Sequence, residues 1–277
     1  MDNILVAATK NQVRSLGAVL SATFALRSSR RTLGLFEELG GLIFIAGGML
    51  LLRVMTGAPT HHGMPMAPFL LSGLITFWLF RTTVGQVSNL QSAKATFRNN
   101  PRITSLDVLV ARAAVNVFIY TCIGAAAFAT VYLAGLSPGL ERPELVLALC
   151  LLMGIWAFGF GLCLGAIYLY APPLKVVVGG LLHMAMWLSG IMFLWPEVPY
   201  MGRWFFAANP LFHYMELLRD AYFEAYQTAL GDWQFLLTVV FVTLALGLML
   251  ERVVRAKAQE QTQRPQEETD PFTENMV

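Results

Sequence analysis

Three arginines stand where the chain is otherwise apolar: Arg53, Arg81 and Arg112 each lie in or at the edge of a long hydrophobic run. A guanidinium in a bilayer costs roughly 2.5–3.5 kcal/mol or more, so such residues tend to face a partner or a polar path. Its planar fork of donors suits the two oxygens of a phosphate or carboxylate, which a lysine matches poorly. The chemistry implied is the holding of an anion. A second charged set interrupts "NPLFHYMELLRDAYFEAY", residues 209–226, where Glu216, Arg219 and Asp220 fall among Leu211, Met215, Leu218 and Tyr222. The apolar residues recur at spacings of three and four, which predicts an amphipathic helix after the Asn209-Pro210 break.

Other chemistries find less support. His61-His62, His183 and His213 have no ligand spacing with Cys, Asp or Glu, so no metal centre is expected. Cys122, Cys150 and Cys163 all lie inside apolar runs and read as buried small hydrophobes. A phosphate-binding loop needs a lysine after a glycine, and none of the four lysines follows one. No cofactor site is expected in this chain; energy must come from a partner or an ion gradient.

The elements that hold these residues are membrane spans. Of 277 residues, 56% are hydrophobic and 13% charged, against about a quarter charged in soluble domains. The first thirty residues carry Lys10, Arg14, Arg27 and Arg30 and no cleavable apolar core, so they do not read as a signal peptide. A net charge of +2 gives no nucleic-acid footprint. Apolar windows of about 20 residues mark six spans, near 33–55, 67–88, 108–135, 145–169, 176–194 and 232–251. An even number places both termini on one side. Lys10, Arg14, Arg27, Arg30, Arg31, Lys94, Arg98, Arg102, Lys175 and the Arg252–Arg264 group share one face, against Arg142, Arg203 and Arg219 on the other. The positive-inside rule makes the first face cytoplasmic.

On this topology residues 195–231 are external. Pro196 and Pro199 stop the fifth span, and two short helices that dip into the outer leaflet and return fit the pattern; a helix lying flat on the interface fits it too. At the N-terminus Val6, Val13, Leu16, Leu20 and Phe24 form one stripe beside Lys10 and Arg14, an interfacial helix on an anionic leaflet of membrane lipids. The expected architecture is an all-α integral membrane protein: an interface helix at 1–30, a membrane domain at 31–251 and a disordered cytoplasmic tail at 252–277. Gly161 and Gly165 form an apolar GxxxG that permits close helix packing.

The cytoplasmic loop "QSAKATFRNNPRITSLDVLVARAAV" pairs a short helix with the turn formers Asn99, Asn100 and Pro101, and sets Asp107 at the positive end of the third span's dipole. Phe97 beside Arg98 reads as a docking knob, although a plain solvated turn has the same composition. Three stretches, "FLLSGLITFWLF" (69–80), "SLDVLVARA" (105–113) and "NPLFHYMELLRDAYF" (209–223), resemble the membrane subunit of ABC exporters for lipid-anchored bacterial capsular polysaccharide. With the order of spans, the likeness covers nearly the whole chain. One segment departs: the family opens its first span with Gly-x-x-Trp and Glu-Pro, whereas "LGLFEELGG" (33–41) has neither Trp nor Pro.

The resemblance implies a homodimer in the bacterial inner membrane, paired with two nucleotide-binding ATPase subunits that hold the ATP and Mg. It implies that Phe97, Arg98, Asn100, Pro101 and Arg102 form the coupling helix to those subunits. Residues 200–226 then correspond to a re-entrant outer gate that includes Asn209, Pro210, Glu216, Arg219 and Asp220. A periplasmic adaptor and an outer-membrane channel complete the assembly, and the cargo is an acidic polymer on a phospholipid end. Beside such a path, Trp78, Trp187, Trp195, Trp204, Phe205 and Tyr214 are candidate sugar-stacking rings, or interface aromatics. Arg81 is the expected contact for the acidic cargo, with an ion pair to Glu37 or Glu38 as the alternative; Arg112 alternatively snorkels to the interface. Permeases for O-antigen or teichoic acid share the outline. A gradient-driven transporter or membrane acyltransferase would need midplane carboxylates or histidines, or an inverted repeat, and the deep spans offer only His183.

Overall fold

The computed structural model describes residues 17–25, 32–57, 60–96 and 103–263. A helix at 17–25 (α1) is followed by α2 (Thr32–Met55), a hairpin of β1 (Thr60–His61) and β2 (Met64–Pro65), α3 (Met66–Val87) and the short α4 (Leu90–Thr96). Then come α5 (Ser105–Leu133), α6 (Pro143–Tyr170), α7 (Leu174–Leu188), two 3-10 turns (Trp195–Glu197, Tyr200–Gly202), α8 (Arg203–Ala207), α9 (Pro210–Tyr222) and α10 (Trp233–Gln263). The chain is therefore mostly helical rather than all-α. His62 and Gly63, with φ of 48° and 82°, make the two-residue loop whose positive φ values suit a tight hairpin.

Local chemistry fixes several helix starts. Thr104 and Asp107 form a reciprocal capping box at α5: the Thr104 hydroxyl accepts from Asp107 N–H at 3.2 Å while the carboxylate accepts from Thr104 N–H at 2.9 Å. Asn209 caps α9 with Pro210 in its first turn, and the Asp232 carboxylate accepts from the N–H groups of Gln234 and Phe235 at α10.

Among the described residues, α3, α5, α6 and the Trp233–Lys257 part of α10 are long and apolar enough to cross a membrane; Ile43–Arg53 of α2 and Leu174–Leu188 are shorter apolar helices. The fifth expected span, 176–194, ends at Leu188, because Gly190 (φ 79°) breaks it before the proline turn. At 15 residues, α7 is about 22 Å long, short of a hydrocarbon core of about 30 Å. At the other end of the chain, α10 continues past 251 to Gln263, so part of the expected disordered tail is helical.

α3 is the axis of the core and packs against α2, α5, α6 and α9. α6 and α10 cross with almost no side chain between them: a Cβ on Gly159 would sit 2.7 Å from the Leu244 Cα, and one on Gly247 2.5 Å from the Gly159 carbonyl oxygen. Gly161 and Gly165 allow the expected close packing, against Val87 and the Ser88–Leu90 turn. Only the 17–25 part of the N-terminal stripe is described; there Val19 is buried in the core, while Leu20 and Phe24 turn outward.

Candidate functional site

α9 does not lie on a surface. It packs against α3, α6 and α10, and nearly every one of its side chains is buried, including Glu216 and Arg219. The spacing that predicted one apolar and one polar face gave the helix correctly and its surroundings wrongly. Burial of both charges is tolerated because each is met by several partners. Glu216 accepts from Trp195 N–H (3.2 Å), the Tyr226 hydroxyl (2.5 Å) and the Thr228 hydroxyl (2.9 Å). Arg219 donates to the carbonyls of Ile191 (2.7 Å) and Phe193 (3.1 Å), and its guanidinium carbon lies 3.9 Å from the Phe69 ring centroid.

Neighbouring groups extend the clamp. Asp220 accepts from Thr228 N–H at 3.2 Å, and Arg142 donates to both its carboxylate and its backbone carbonyl. Asn209 donates to Leu188 carbonyl at 3.0 Å. His213 is fixed in one tautomer: Asp232 N–H donates to its Nδ1, so Nε2–H donates to the Ala207 carbonyl at 2.8 Å. α9 thereby fastens residues 188–195 on one side and 220–232 on the other.

The arginines expected along a path separate into different roles. Arg112 donates to Gln86 carbonyl (3.2 Å) and the Ser92 hydroxyl (2.9 Å), which ties α5 to the α3–α4 corner. Arg53 sits in the last turn of α2, at the hairpin end. Arg81, six residues and about 9 Å from the Val87 end of α3, donates to His183 Nε2 at 3.1 Å across to α7. Since guanidinium cannot accept, His183 is neutral, with Nδ1–H donating to Gly179 carbonyl (3.3 Å). The Glu37 and Glu38 side chains lie outside the described residues, and so does the whole of Phe97–Arg102.

The aromatics divide the same way. Tyr214 is fully buried and accepts from Met153 N–H at 2.9 Å, so its ring offers no face to a sugar in this conformation. Trp195 is half-buried under Arg203 (5.3 Å), and Trp78 packs edge-on to Phe77. Trp187, Trp204 and Phe205 are exposed. Beside α9, a cavity of about 660 Å³ lies between α3, α5 and α6, with Ser72, Thr76, Tyr120 and Thr121 among its lining and Leu218 of α9 at its wall.

A third cluster was not expected. His61 and His62 of the hairpin both meet Glu197, their Nε2 atoms 3.0 and 3.4 Å from its two carboxylate oxygens. Sequence spacing could not reveal this cluster, because Glu197 lies 136 and 135 residues from the two histidines. Burial draws the His61 imidazole below its usual value against the pull of Glu197. Desolvation pushes the Glu197 carboxyl up, but Leu194 N–H and the two histidines outweigh it and leave the pKa below the usual range. The partners of Glu216 and Glu197 were invisible in sequence because they arrive through tertiary folding.

Comparison with known proteins agrees with this architecture. Two forms of the polysialic acid transport protein KpsM of Escherichia coli are similar, at 29% and 28% identity over 234 residues, covering 82% of this chain and 90% of each of those proteins. The pattern of the ABC-2 type transporter family matches residues 16–223, from the start of α1 through α9. The chain belongs to the ABC-2 type transporter membrane family.

Proposed function

We propose that this chain is the membrane subunit of an ATP-driven exporter of lipid-linked acidic polysaccharide, working as a homodimer with two separate ATPase subunits in a bacterial inner membrane. The observation that carries the reading is α9: a helix with two buried charges, lodged between the spans by carbonyl and hydroxyl partners from both flanking segments. A solvent-facing loop would not need that clamp, whereas an element closing a path through the membrane would. The similarity to a polysaccharide transport protein over most of both chains supports the cargo class.

Six spans follow if α2 and α7 cross together with their flanking residues, which makes α8 and α9 a re-entrant pair on the periplasmic face and leaves both termini cytoplasmic. The Arg81–His183 crossing then lies in the inner half of the membrane, where an arginine with uncommitted donors meets the acidic lipid end of the polymer. The 97–102 loop, framed by α4 and the Thr104–Asp107 box, docks the ATPase. A periplasmic adaptor and an outer-membrane channel receive the polymer. The reading is tested by depleting the chain in its own cell: lipid-linked acidic polymer should build up inside and return to the surface on complementation. Unchanged surface polymer after depletion would remove the reading.

A further inference from the structure

We propose that His61, His62 and Glu197 form a divalent transition-metal site of zinc type on the hairpin end of the molecule. One ligand atom from each of the three residues lies within 4.8 Å of the other two, and the Nε2 atoms of the histidines sit 3.0 and 3.4 Å from the Glu197 carboxylate oxygens. A tetrahedral ion with ligands at about 2.0–2.1 Å needs ligand atoms about 3.4 Å apart, a change of an ångström or so in side-chain position. The two imidazoles come from adjacent residues, which in an ordinary strand point to opposite faces. Here the left-handed φ of His62 (48°) turns the second ring back, so that the rings stand 85° apart with centroids 5.1 Å apart and address one carboxylate. Such a backbone conformation is uncommon for a non-glycine residue, and it is what assembles the triad.

The surroundings favour an ion in three ways and oppose it in one. His61 is nearly buried against the Phe69 ring, at 4.7 Å between centroids, which limits its freedom before an ion arrives. Leu194 N–H donates to Glu197 at 2.9 Å and orients the carboxylate, the kind of outer contact that strengthens a ligand set. His62 and Glu197 are partly open to solvent, leaving room for a water as fourth ligand. Arg53 is close enough to disfavour positive charge at His61, and an ion must overcome it. Two imidazoles and one carboxylate select zinc-like ions over magnesium or calcium, which take oxygen ligands.

The ion would join the α2–α3 hairpin to the 191–197 segment, which Arg219 and Glu216 hold from the other side. It would thus act on the same element that the proposed export function assigns to the outer gate. Ion binding itself does not depend on that function, so the two can fail separately.

The test uses the purified full-length protein, stripped with a chelator and titrated with Co²⁺. Visible d–d absorption of a four-coordinate ion should saturate at one ion per chain and be displaced by zinc. His62→Gln and Glu197→Gln should weaken binding by about 100-fold or more, beyond the 10–100-fold that outer partners carry, and His183→Ala should not. His62 is half-exposed, so its replacement leaves the core intact; added zinc should raise the melting temperature of the wild type and not of His62→Gln. Absence of the d–d band, or a band unchanged in both Gln variants, overturns the site and leaves a hydrogen-bonded histidine–glutamate contact only.

Discussion

Arg219 and Arg81 are both arginines set among apolar helices, and they are held in opposite ways. Arg219 is fully buried, with two carbonyls and an aromatic face around its guanidinium. Arg81 is half-exposed, and among the described residues its hydrogen-bond partner is one neutral imidazole on a helix that buries none of its side chains fully. A charge that the fold has satisfied on several sides is committed to structure. One that retains free donors at an open crossing can bind something that passes. In the proposed function Arg219 fastens the outer gate and Arg81 is the cargo's foothold, and the contrast can be broken at either end.

The largest effect is expected at Arg219. Arg219→Ala leaves the Ile191 and Phe193 carbonyls unpaired in the core and should cost about 3–5 kcal/mol, seen as loss of folded protein on size-exclusion and a collapsed melting temperature. Unchanged melting with lost export would instead place Arg219 on the path. At Arg81 the order reverses. Arg81→Ala should leave the yield of the complex intact while slowing export by about 10–100-fold, the equivalent of one hydrogen bond to a charged group, and Arg81→Lys should fall between. Falling yield in these variants would make Arg81 structural and erase the contrast.

The two sites also differ in how far the sequence exposes them. The four long apolar helices, Asn209-Pro210 as a helix start, and the small-residue contact at Gly161 and Gly165 are local patterns, and periodicity reads local patterns well. Burial of Glu216 and Arg219 is not local: their partners Trp195, Tyr226, Thr228, Ile191 and Phe193 lie on flanking segments, so the helix was readable and its burial was not. His183 as the partner of Arg81, and Glu197 as that of His61, are separated from them by 102 and 136 residues. The hairpin escaped notice because a two-residue turn gives almost no periodic signal between two spans. Gly159 and Gly247, where α6 and α10 touch, carry no motif within either helix alone.

Smaller effects sharpen the assignment of the ends. Replacing Phe97 and Arg98 together by Ala should remove a contact worth about 2 kcal/mol to the ATPase, lowering export and copurified ATPase while the chain still inserts; unchanged export would free the loop of that role. A purely topological probe should leave activity alone. On a background with Cys122, Cys150 and Cys163 replaced, single cysteines at the exposed Tyr200 and Gln227 should both react with an impermeant thiol reagent from the periplasmic side. Tyr226 itself is unsuitable, because its hydroxyl donates to Glu216. Reaction of either position from the cytoplasm would reverse the orientation and with it the gate.

In the proposed function this chain moves an acidic lipid-linked polymer using the ATPase of another subunit. The direct measurement is to purify the chain from native membranes with a hydrolysis-deficient form of its ATPase partner and identify what is bound by mass spectrometry. A two-plus-two complex should retain a polymer with acidic residues and a phospholipid end, and Arg81→Ala should lose that polymer but not the ATPase. A chain that purifies without any nucleotide-binding subunit, or a complex whose bound glycan is neutral and unaffected by Arg81→Ala, would contradict it.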